Sequence, residues 1–177
     1  MATHEIILAG FGGQGILFAG KLLAYCGMVS DKELSWLPSY GPEMRGGTCN
    51  CHVILSDEPV SSPLITKPTI LFAMNQPSLE KFEGKVAPGG FIIYDSSLIA
   101  SGVTRTDVTG VALPATQLAH EMNESKLANM ILMGSLIKHT GIIDIETVKK
   151  ALTKVVPAKK PELYDVNLNC ILKGMEN

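Results

Sequence analysis

Two glycine-rich segments carry the residue types that could bind a charged ligand. The first, residues 10–15, reads Gly-Phe-Gly-Gly-Gln-Gly and lies between an apolar stretch and a helix-like pattern. Glycines let the backbone approach a ligand closely, and the free N–H groups at the start of the following helix attract phosphate. Gly12, Gly13 and Gln14 are therefore candidate binding residues. Close packing of a strand on a helix explains the glycines but not the side chain of Gln14.

The spacing of the first segment also fits the dinucleotide-binding fingerprint, in which a glycine-rich turn holds the pyrophosphate of NAD. That fingerprint requires an acidic residue at the end of the second strand, where it binds the ribose hydroxyls. Here the predicted second strand ends near Ser39, and the nearby acids Asp31 and Glu33 fall at its start. NAD binding is therefore disfavoured, and a free-standing nucleotide-binding α/β protein that uses residues 10–15 is kept as the alternative.

The second segment, residues 39–48, is the more specific signal. It reads Ser-Tyr-Gly-Pro-Glu-Met-Arg-Gly-Gly-Thr, so a proline turn and a glycine pair flank both an acid and a base. The chain contains two arginines, and Arg45 beside glycines is suited to a bidentate contact with a carboxylate or a phosphate. The other interpretation is an ordinary loop in which Arg45 pairs with Glu43 at the surface.

The elements that position these segments follow from the hydrophobic pattern. Short apolar runs bounded by glycine, proline or polar residues predict strands. They cover residues 5–10, 33–37, 48–55, 69–74, 89–95 and 110–113, with a weaker one near 103–108. Helix-like spacing predicts helices. They cover residues 16–28, a short stretch up to 82, 115–122, 126–139, 145–156 and 161–173.

Strands that alternate with helices predict an α/β fold with a doubly wound, mostly parallel sheet and a helical C-terminal third. The length of 177 residues predicts a single domain over residues 1–177. In such a sheet the ligand crevice lies beyond the carboxyl ends of the strands. Both glycine-rich segments fall there, as do Asn75, which follows the fourth strand, and Asp95, which ends the fifth.

The composition excludes several classes of protein. The net charge of −2 argues against a nucleic-acid binder, which usually carries a basic excess. The apolar runs are far shorter than the ~20 residues that span a bilayer, and no signal-peptide pattern opens the chain, so we expect a cytoplasmic protein. The four cysteines lack the spacing of zinc or iron–sulfur motifs, and we expect free thiols. A mean hydropathy of +0.22 with only 18% charged residues predicts an apolar face that partners cover.

The two segments together resemble the gamma subunit of 2-oxoacid:ferredoxin oxidoreductases. The resemblance is carried by the Gly-Phe-Gly-Gly-Gln-Gly loop, by the Ser-Tyr-Gly-Pro-Glu-Met-Arg-Gly-Gly-Thr loop, and by the Asn-Gln-Pro and Asp-Ser-Ser sequences after two later strands. It extends over the whole chain. Residue by residue, the positions that match the two loops are Gly12, Gly13, Gln14, Tyr40, Glu43, Met44, Arg45, Gly46 and Gly47.

The resemblance implies a Rossmann-like domain in a complex that converts a 2-oxoacid and coenzyme A to acyl-CoA and carbon dioxide and reduces ferredoxin. Thiamine diphosphate, Mg²⁺ and iron–sulfur clusters would carry the chemistry in other subunits, so this chain alone would bind no cofactor and be inactive. It would pack on alpha and beta subunits, with a ferredoxin-like delta subunit as a further candidate, and serve assembly and coenzyme A binding. No residue is assigned a catalytic duty.

The 2-oxoacid is left open among 2-oxoglutarate, pyruvate and branched-chain acids. The short form of the chain resembles the 2-oxoglutarate type most, and indolepyruvate enzymes share the fold. The apolar face predicted from composition implies that the isolated chain self-associates, most simply as a two-fold homodimer.

Overall fold

A computed structural model describes residues 2–39 and 48–177 of the chain. Its centre is a six-stranded sheet in the order β2-β3-β1-β4-β5-β6. The strands are β1 (Thr3–Phe11), β2 (Glu33–Pro38), β3 (Thr48–Ser56), β4 (Ile70–Ala73), β5 (Phe91–Asp95) and β6 (Thr109–Leu113). β1, β4, β5 and β6 are parallel, whereas β3 is antiparallel to both of its neighbours, β1 and β2. The prediction of a mostly parallel sheet is therefore confirmed.

One predicted strand is wrong. Residues 103–108 form bends and irregular structure instead, because side chains occupy the polar groups that a strand would use. The carboxylate of Glu83 accepts hydrogen bonds from the backbone N–H of Thr104 (2.7 Å) and of Arg105 (3.2 Å). The guanidinium of Arg105 donates in turn to the carbonyls of Glu83 (2.9 Å) and Val86 (2.6 Å). Val103 and Val108 are the apolar residues at the two ends of the predicted strand, and the sequence between them does not reveal this bonding.

Among the described residues, six α-helices surround the sheet, and the predicted ones are all present. They are α1 (Ile16–Val29), α2 (Gln76–Phe82), α3 (Ala115–Glu121), α4 (Ala128–Thr140), α5 (Ile145–Val155) and α6 (Glu162–Glu176). Asp144 caps α5, since its carboxylate accepts from the N–H of Thr147 at 2.7 Å. Gly141 ends α4 in the left-handed conformation with a φ of 63°. The helical C-terminal third is confirmed, and it packs on the sheet.

The end of α6 differs from the prediction. The predicted helix ends at residue 173, whereas α6 continues through Gly174 to Glu176. The glycine is needed for helix packing instead. A Cβ at Gly174 would collide with the carbonyl of Ile131 in α4, and a Cβ at Gly134 in α4 would collide with the carbonyl of Ile171 in α6. The two helices therefore touch backbone to backbone.

The two faces of the sheet are covered unequally. Side chains such as Ile6 and Leu8 pack against a large cluster that includes α1, α3, α4, α5 and α6. Their neighbours Ile7 and Ala9 point to the opposite face, where a smaller cluster includes α2. Helices on both faces are the mark of a doubly wound fold. Gly20 lets α1 approach β3 closely, because a Cβ there would collide with the thiol of Cys51.

All four cysteines are free and buried, as expected from their spacing. Burial raises the pKa of Cys26 and of Cys51 to about 12, and it raises the pKa of Cys170 to about 11. Burial also raises the pKa of Cys49. Thiols protected in this way react slowly, because the thiolate is the nucleophile.

None of the helices within residues 2–39 and 48–177 combines the length and the apolar character needed to cross a membrane.

Candidate functional site

The candidate site lies where the sheet changes its direction of winding. After β1 the chain enters α1 on one face, and after β4 it enters α2 on the other face. β1 and β4 are adjacent and parallel. Helices that leave two neighbouring strands toward opposite faces open a crevice between the strands' carboxyl ends, which is where doubly wound folds bind ligands.

The loop from β1 to α1 forms one wall of this crevice. Gly13 and Gly15 have φ values of 92° and 75°, a region that side chains rarely adopt. Gly15 directly precedes α1, and no side chain caps the start of that helix. Gly12 and Gly13 are exposed and Gln14 is half-buried. The loop therefore presents backbone and a helix N-terminus, as the glycine pattern predicts.

Gln14 joins the two strands that flank the crevice. Its carboxamide oxygen accepts a hydrogen bond from the N–H of Phe11 at 2.6 Å, and its nitrogen donates to the carbonyl of Met74 at 3.1 Å. Met74 follows the last residue of β4. The side chain that glycine packing left unexplained thus holds the loop against the neighbouring strand, and both polar ends of its carboxamide have partners within the chain.

Asn75 forms the other wall of the crevice, and one of its two side-chain polar atoms has no hydrogen-bond partner among the described residues. Its side-chain oxygen accepts from the N–H of Ser78 at 2.8 Å and so caps α2. Its Nδ2 is buried and has no hydrogen-bond partner among the described residues, and the same holds for the hydroxyl of Ser78. An unpartnered buried N–H donor is costly, so a ligand or partner acceptor at this point would be stabilising.

Asp95 lies at the same edge but has its partners within the chain. The carboxylate is fully buried and accepts from the hydroxyl of Thr116 at 2.5 Å, from the N–H of Thr116 at 3.2 Å and from the N–H of Ser97 at 3.0 Å. These bonds tie the end of β5 to the first turn of α3. Asp95 is therefore a structural carboxylate in this arrangement.

The second glycine-rich segment begins and ends at the same edge. Ser39, which follows β2, donates its N–H to the carbonyl of Asn50 at 2.9 Å. Thr48, the first residue of β3, pairs with Phe11, the last residue of β1. The antiparallel course of β3 thus fixes both ends of the segment beside the first loop. The candidate residues within it lie outside the described residues: Tyr40, Glu43, Met44, Arg45, Gly46 and Gly47.

One contact at the site could not be read from the sequence. The amide nitrogen of Asn129 in α4 donates to the carbonyl of Gly15 at 3.0 Å, across 114 residues of chain. A Cβ at Gly15 would collide with that same side chain. In the sequence, Asn129 stands out only as a polar residue next to an apolar stretch of α4. That pattern does not identify Gly15 as its hydrogen-bond partner.

Metal-ligating side chains do not cluster in the part of the site that the structure describes. Within residues 2–39 and 48–177, no three His, Cys, Asp or Glu side chains come together in a group that could hold a metal ion. The described residues therefore bring no set of cysteines together that would fit an iron–sulfur cluster. The described residues of this edge can bind and orient a ligand.

Subunits of 2-oxoacid oxidoreductases have sequences similar to this chain. The ketoisovalerate oxidoreductase subunit VorA of Methanothermobacter thermautotrophicus is 39% identical over 174 residues, which cover 97% of this chain and 36% of VorA. The chain therefore spans about a third of that relative's length. The 2-oxoglutarate synthase subunit KorC of Methanocaldococcus jannaschii is 38% identical over 177 residues, covering 97% of this chain and 92% of KorC.

Solved structures show the same fold. The gamma subunit of a keto/oxoacid ferredoxin oxidoreductase from Geobacter sulfurreducens aligns with a TM-score of 0.81 and 27% identity, over 98% of this chain and 96% of that one. A 2-oxoglutarate:ferredoxin oxidoreductase from Magnetococcus marinus, solved with 2-oxoglutarate, coenzyme A and succinyl-CoA bound, aligns with a TM-score of 0.86 and 26% identity, over 99% of this chain and 31% of that one.

The family profile described as pyruvate ferredoxin/flavodoxin oxidoreductase matches residues 5–177. This match covers nearly the whole chain, and it agrees with the names of the relatives and with the two loops at the sheet edge. The chain belongs to the pyruvate ferredoxin/flavodoxin oxidoreductase family.

Proposed function

We propose that this chain is the gamma-type subunit of a 2-oxoacid:ferredoxin oxidoreductase. The complex would convert a 2-oxoacid and coenzyme A to acyl-CoA and carbon dioxide and pass the electrons to ferredoxin. Support comes from relatives named as subunits of such enzymes and from the fold shared with a gamma subunit. The single observation that carries the proposal is the pairing of Phe11, in the first glycine-rich segment, with Thr48, the last residue of the second, at one edge of the sheet.

The edge would contribute contacts rather than reactive groups. Gln14 and Asp95 have partners within the chain, whereas the side-chain N–H of Asn75 has none among residues 2–39 and 48–177. Such a donor suits a carbonyl or a phosphate oxygen, and coenzyme A carries both. A coenzyme A complex of a structurally similar enzyme makes this ligand a reasonable occupant. Thiamine diphosphate, Mg²⁺ and iron–sulfur clusters would be bound by other subunits.

The partners would be alpha and beta subunits, with a ferredoxin-like delta subunit as a further candidate, and ferredoxin as the electron acceptor. Two apolar side chains at the edge support such contacts. Phe11 is 40% exposed and Leu98 is 45% exposed, and exposed aromatic and aliphatic groups of this kind are usual in the buried centre of an interface. We place the complex in the cytoplasm, without nucleic-acid or membrane partners.

For the substrate we favour 2-oxoglutarate. The relative that this chain covers to 92% is named a 2-oxoglutarate synthase subunit, whereas the ketoisovalerate relative is covered to 36%. Pyruvate and branched-chain 2-oxoacids are the alternative substrates.

Co-purification from the native host tests the proposal. The tagged chain should retain larger chains that contain iron and thiamine diphosphate, and the eluate should release carbon dioxide from a 2-oxoacid only when coenzyme A and ferredoxin are present. The isolated chain, supplied with thiamine diphosphate, Mg²⁺ and coenzyme A, should release none above a heat-killed control. Recovery of the chain alone, together with binding of NAD(H) or NADP(H), would instead support the free-standing nucleotide-binding protein.

A further inference from the structure

Two buried asparagines, Asn129 in α4 and Asn167 in α6, have the same pattern of hydrogen bonds. Asn129 is 3% exposed and Asn167 is 4% exposed. In each, Nδ2 donates to a backbone carbonyl, that of Gly15 at 3.0 Å and that of Leu163 at 2.7 Å respectively. In each, Oδ1 has no partner among the described residues. The two bonds differ in their destination, because Leu163 lies one turn earlier in α6 itself, whereas Gly15 belongs to the β1–α1 loop of the candidate site.

The stability of the fold does not by itself account for a carboxamide at position 129. The hydrogen bond from Nδ2 is stabilising, and the buried oxygen without a donor is destabilising, so the two contributions oppose each other. Residues 130–133, which follow Asn129 in α4, are all apolar and fully buried in the larger core cluster. What distinguishes Asn129 from this surrounding core is its bond to the loop of the site.

The carbonyl of Gly15 determines how α1 begins. It accepts the first hydrogen bond of the helix, from the N–H of Ala19 at 3.0 Å, and a second one from Asn129. The φ of 75° at Gly15 turns the chain between the exposed glycines of the loop and the helix. The N–H groups of the first turn have no acceptor within a helix, and no side chain caps α1. A shift of this carbonyl therefore redirects both those N–H groups and the loop before them.

We propose that Asn129 is a positioning residue for the binding of coenzyme A. Its bond to Gly15 anchors the β1–α1 loop to α4, in which residues 128–137 are all buried. Gln14 anchors the same loop to the carbonyl of Met74 on the other side. The two bonds together hold the loop in the shape in which it binds the ligand, and Asn129 acts through Gly15 without touching coenzyme A. This inference rests on the proposed function, because it takes the crevice between β1 and β4 as the coenzyme A site.

Asn129→Leu and its matched control Asn167→Leu test this role. Each removes one bonded donor and one unpartnered oxygen at similar volume, and only Asn129→Leu breaks a bond to the loop. In the full-length chain, amide hydrogen exchange across residues 12–19 should become at least about fivefold faster in Asn129→Leu and stay unchanged in Asn167→Leu. In the assembled complex, Asn129→Leu should raise the KM for coenzyme A about 2- to 10-fold, the range for one neutral hydrogen bond. The kcat and the KM for the 2-oxoacid should not change.

Three results would overturn the role of Asn129: unchanged hydrogen exchange in the loop, an unchanged KM for coenzyme A, or an equal rise of that KM in Asn167→Leu. If Asn129→Leu does not assemble, Asn129→Ala takes its place, with Asn167→Ala as its control, because alanine adds no methyl groups beside the loop. A complex that releases carbon dioxide without coenzyme A would refute the proposed function and this inference together. A complex that needs coenzyme A but responds to neither Asn129 variant would refute this inference alone.

Discussion

The carboxamide of Gln14 and the carbonyl of Met74 are joined by a 3.1 Å hydrogen bond that closes the β1–α1 loop onto the end of β4. The same side chain accepts from the N–H of Phe11. One residue therefore fixes both the shape of the loop and its distance from the neighbouring strand.

Replacement of Gln14 should loosen this loop. Gln14→Leu keeps the volume and removes both bonds, so we expect a loss of about 1–3 kcal/mol in the free energy of unfolding, measured by urea titration. Gln117→Leu is the matched control, because Gln117 is exposed and its side chain bonds to Glu121 one turn away on the same helix. An equal loss in the two variants would show that the bridge to Met74 adds no stability.

Asn75 allows its two roles to be separated. Asn75→Ser keeps an oxygen that can cap α2 but removes the amide N–H donor. In the assembled complex we expect the apparent affinity for coenzyme A to fall roughly 10- to 150-fold, the range for a hydrogen bond to a charged group, with the KM for the 2-oxoacid unchanged. Asp144→Ser makes a comparable cap exchange at α5 and serves as the control. Unaltered coenzyme A kinetics in Asn75→Ser would contradict a ligand contact at this donor.

Arg45 distinguishes a ligand contact from a subunit contact. If Arg45 binds a coenzyme A phosphate, Arg45→Ala should weaken coenzyme A binding about 10- to 150-fold and leave assembly intact. If it pairs with a carboxylate of a neighbouring subunit, the complex should dissociate more readily. We expect the second result, because Glu43, two residues earlier in the sequence, would repel a phosphate.

Sedimentation of the reconstituted complex, together with coenzyme A titration, decides between the two outcomes for Arg45. Lys173→Ala removes an exposed cation near the end of α6 and should change neither measurement. Behaviour of Arg45→Ala like that of the unmodified complex in both assays would identify the second segment as an ordinary loop.

His52 should make the stability of the fold depend on pH. Its Nδ1 accepts a hydrogen bond from the N–H of Ile65 at 3.0 Å, so the ring must be unprotonated at that nitrogen. Burial, and secondarily the charge of Lys85, lower the pKa of His52 below its usual value of 6.5. A lowered pKa in the folded state means that this stabilisation is present above pH 6.5 and is lost as the pH falls through the folded-state value.

The difference in unfolding free energy between the unmodified chain and His52→Gln should therefore shrink as the pH falls from 7.5 toward 5, because only the histidine loses its acceptor. Urea titrations across that range provide the measurement, with His120→Gln as the baseline for replacing an exposed histidine. If the difference in unfolding free energy stays constant over this pH range, protonation of His52 does not weaken the hydrogen bond from Ile65.

The contact of α4 with α6 should tolerate no side chain at its centre. Gly134→Ala places a Cβ against the carbonyl of Ile171, and backbone cannot rotate away as a side chain can, so we expect a loss of at least about 3 kcal/mol or a failure to fold. Gly84→Ala is the control, since a Cβ there meets nothing within 4 Å. Thermal denaturation of both variants, followed by circular dichroism, compares them.

Much of this fold could be predicted because its strands are apolar runs with clear ends. β1 passes directly into glycines and β6 stops at Pro114, and such boundaries are local properties of the chain. The errors arose where distant residues decide the structure. Glu83 occupies the backbone of residues 104–105 from another element, and Gly174 is small because Ile131 lies against it.

The candidate site was predictable in its position and less so in its contacts. The glycine loop and Asn75 were found because they follow strands, and the carboxyl ends of parallel strands meet at one edge. The partners of Gln14 and the contact of Asn129 with Gly15 depend on how elements far apart in sequence pack. No local pattern encodes a bond across 114 residues.

The reversal of β3 within an otherwise parallel sheet has a consequence for changes in chain length. β2 and β3, which flank residues 40–47, are antiparallel neighbours, and Leu37 pairs with His52 and Pro38 with Cys51. A crossover connection has to span the sheet, whereas a hairpin tip can be lengthened, shortened or exchanged without moving the strands below it. Changes of length between β2 and β3 should therefore disturb the sheet less than changes in the crossovers that join its parallel strands.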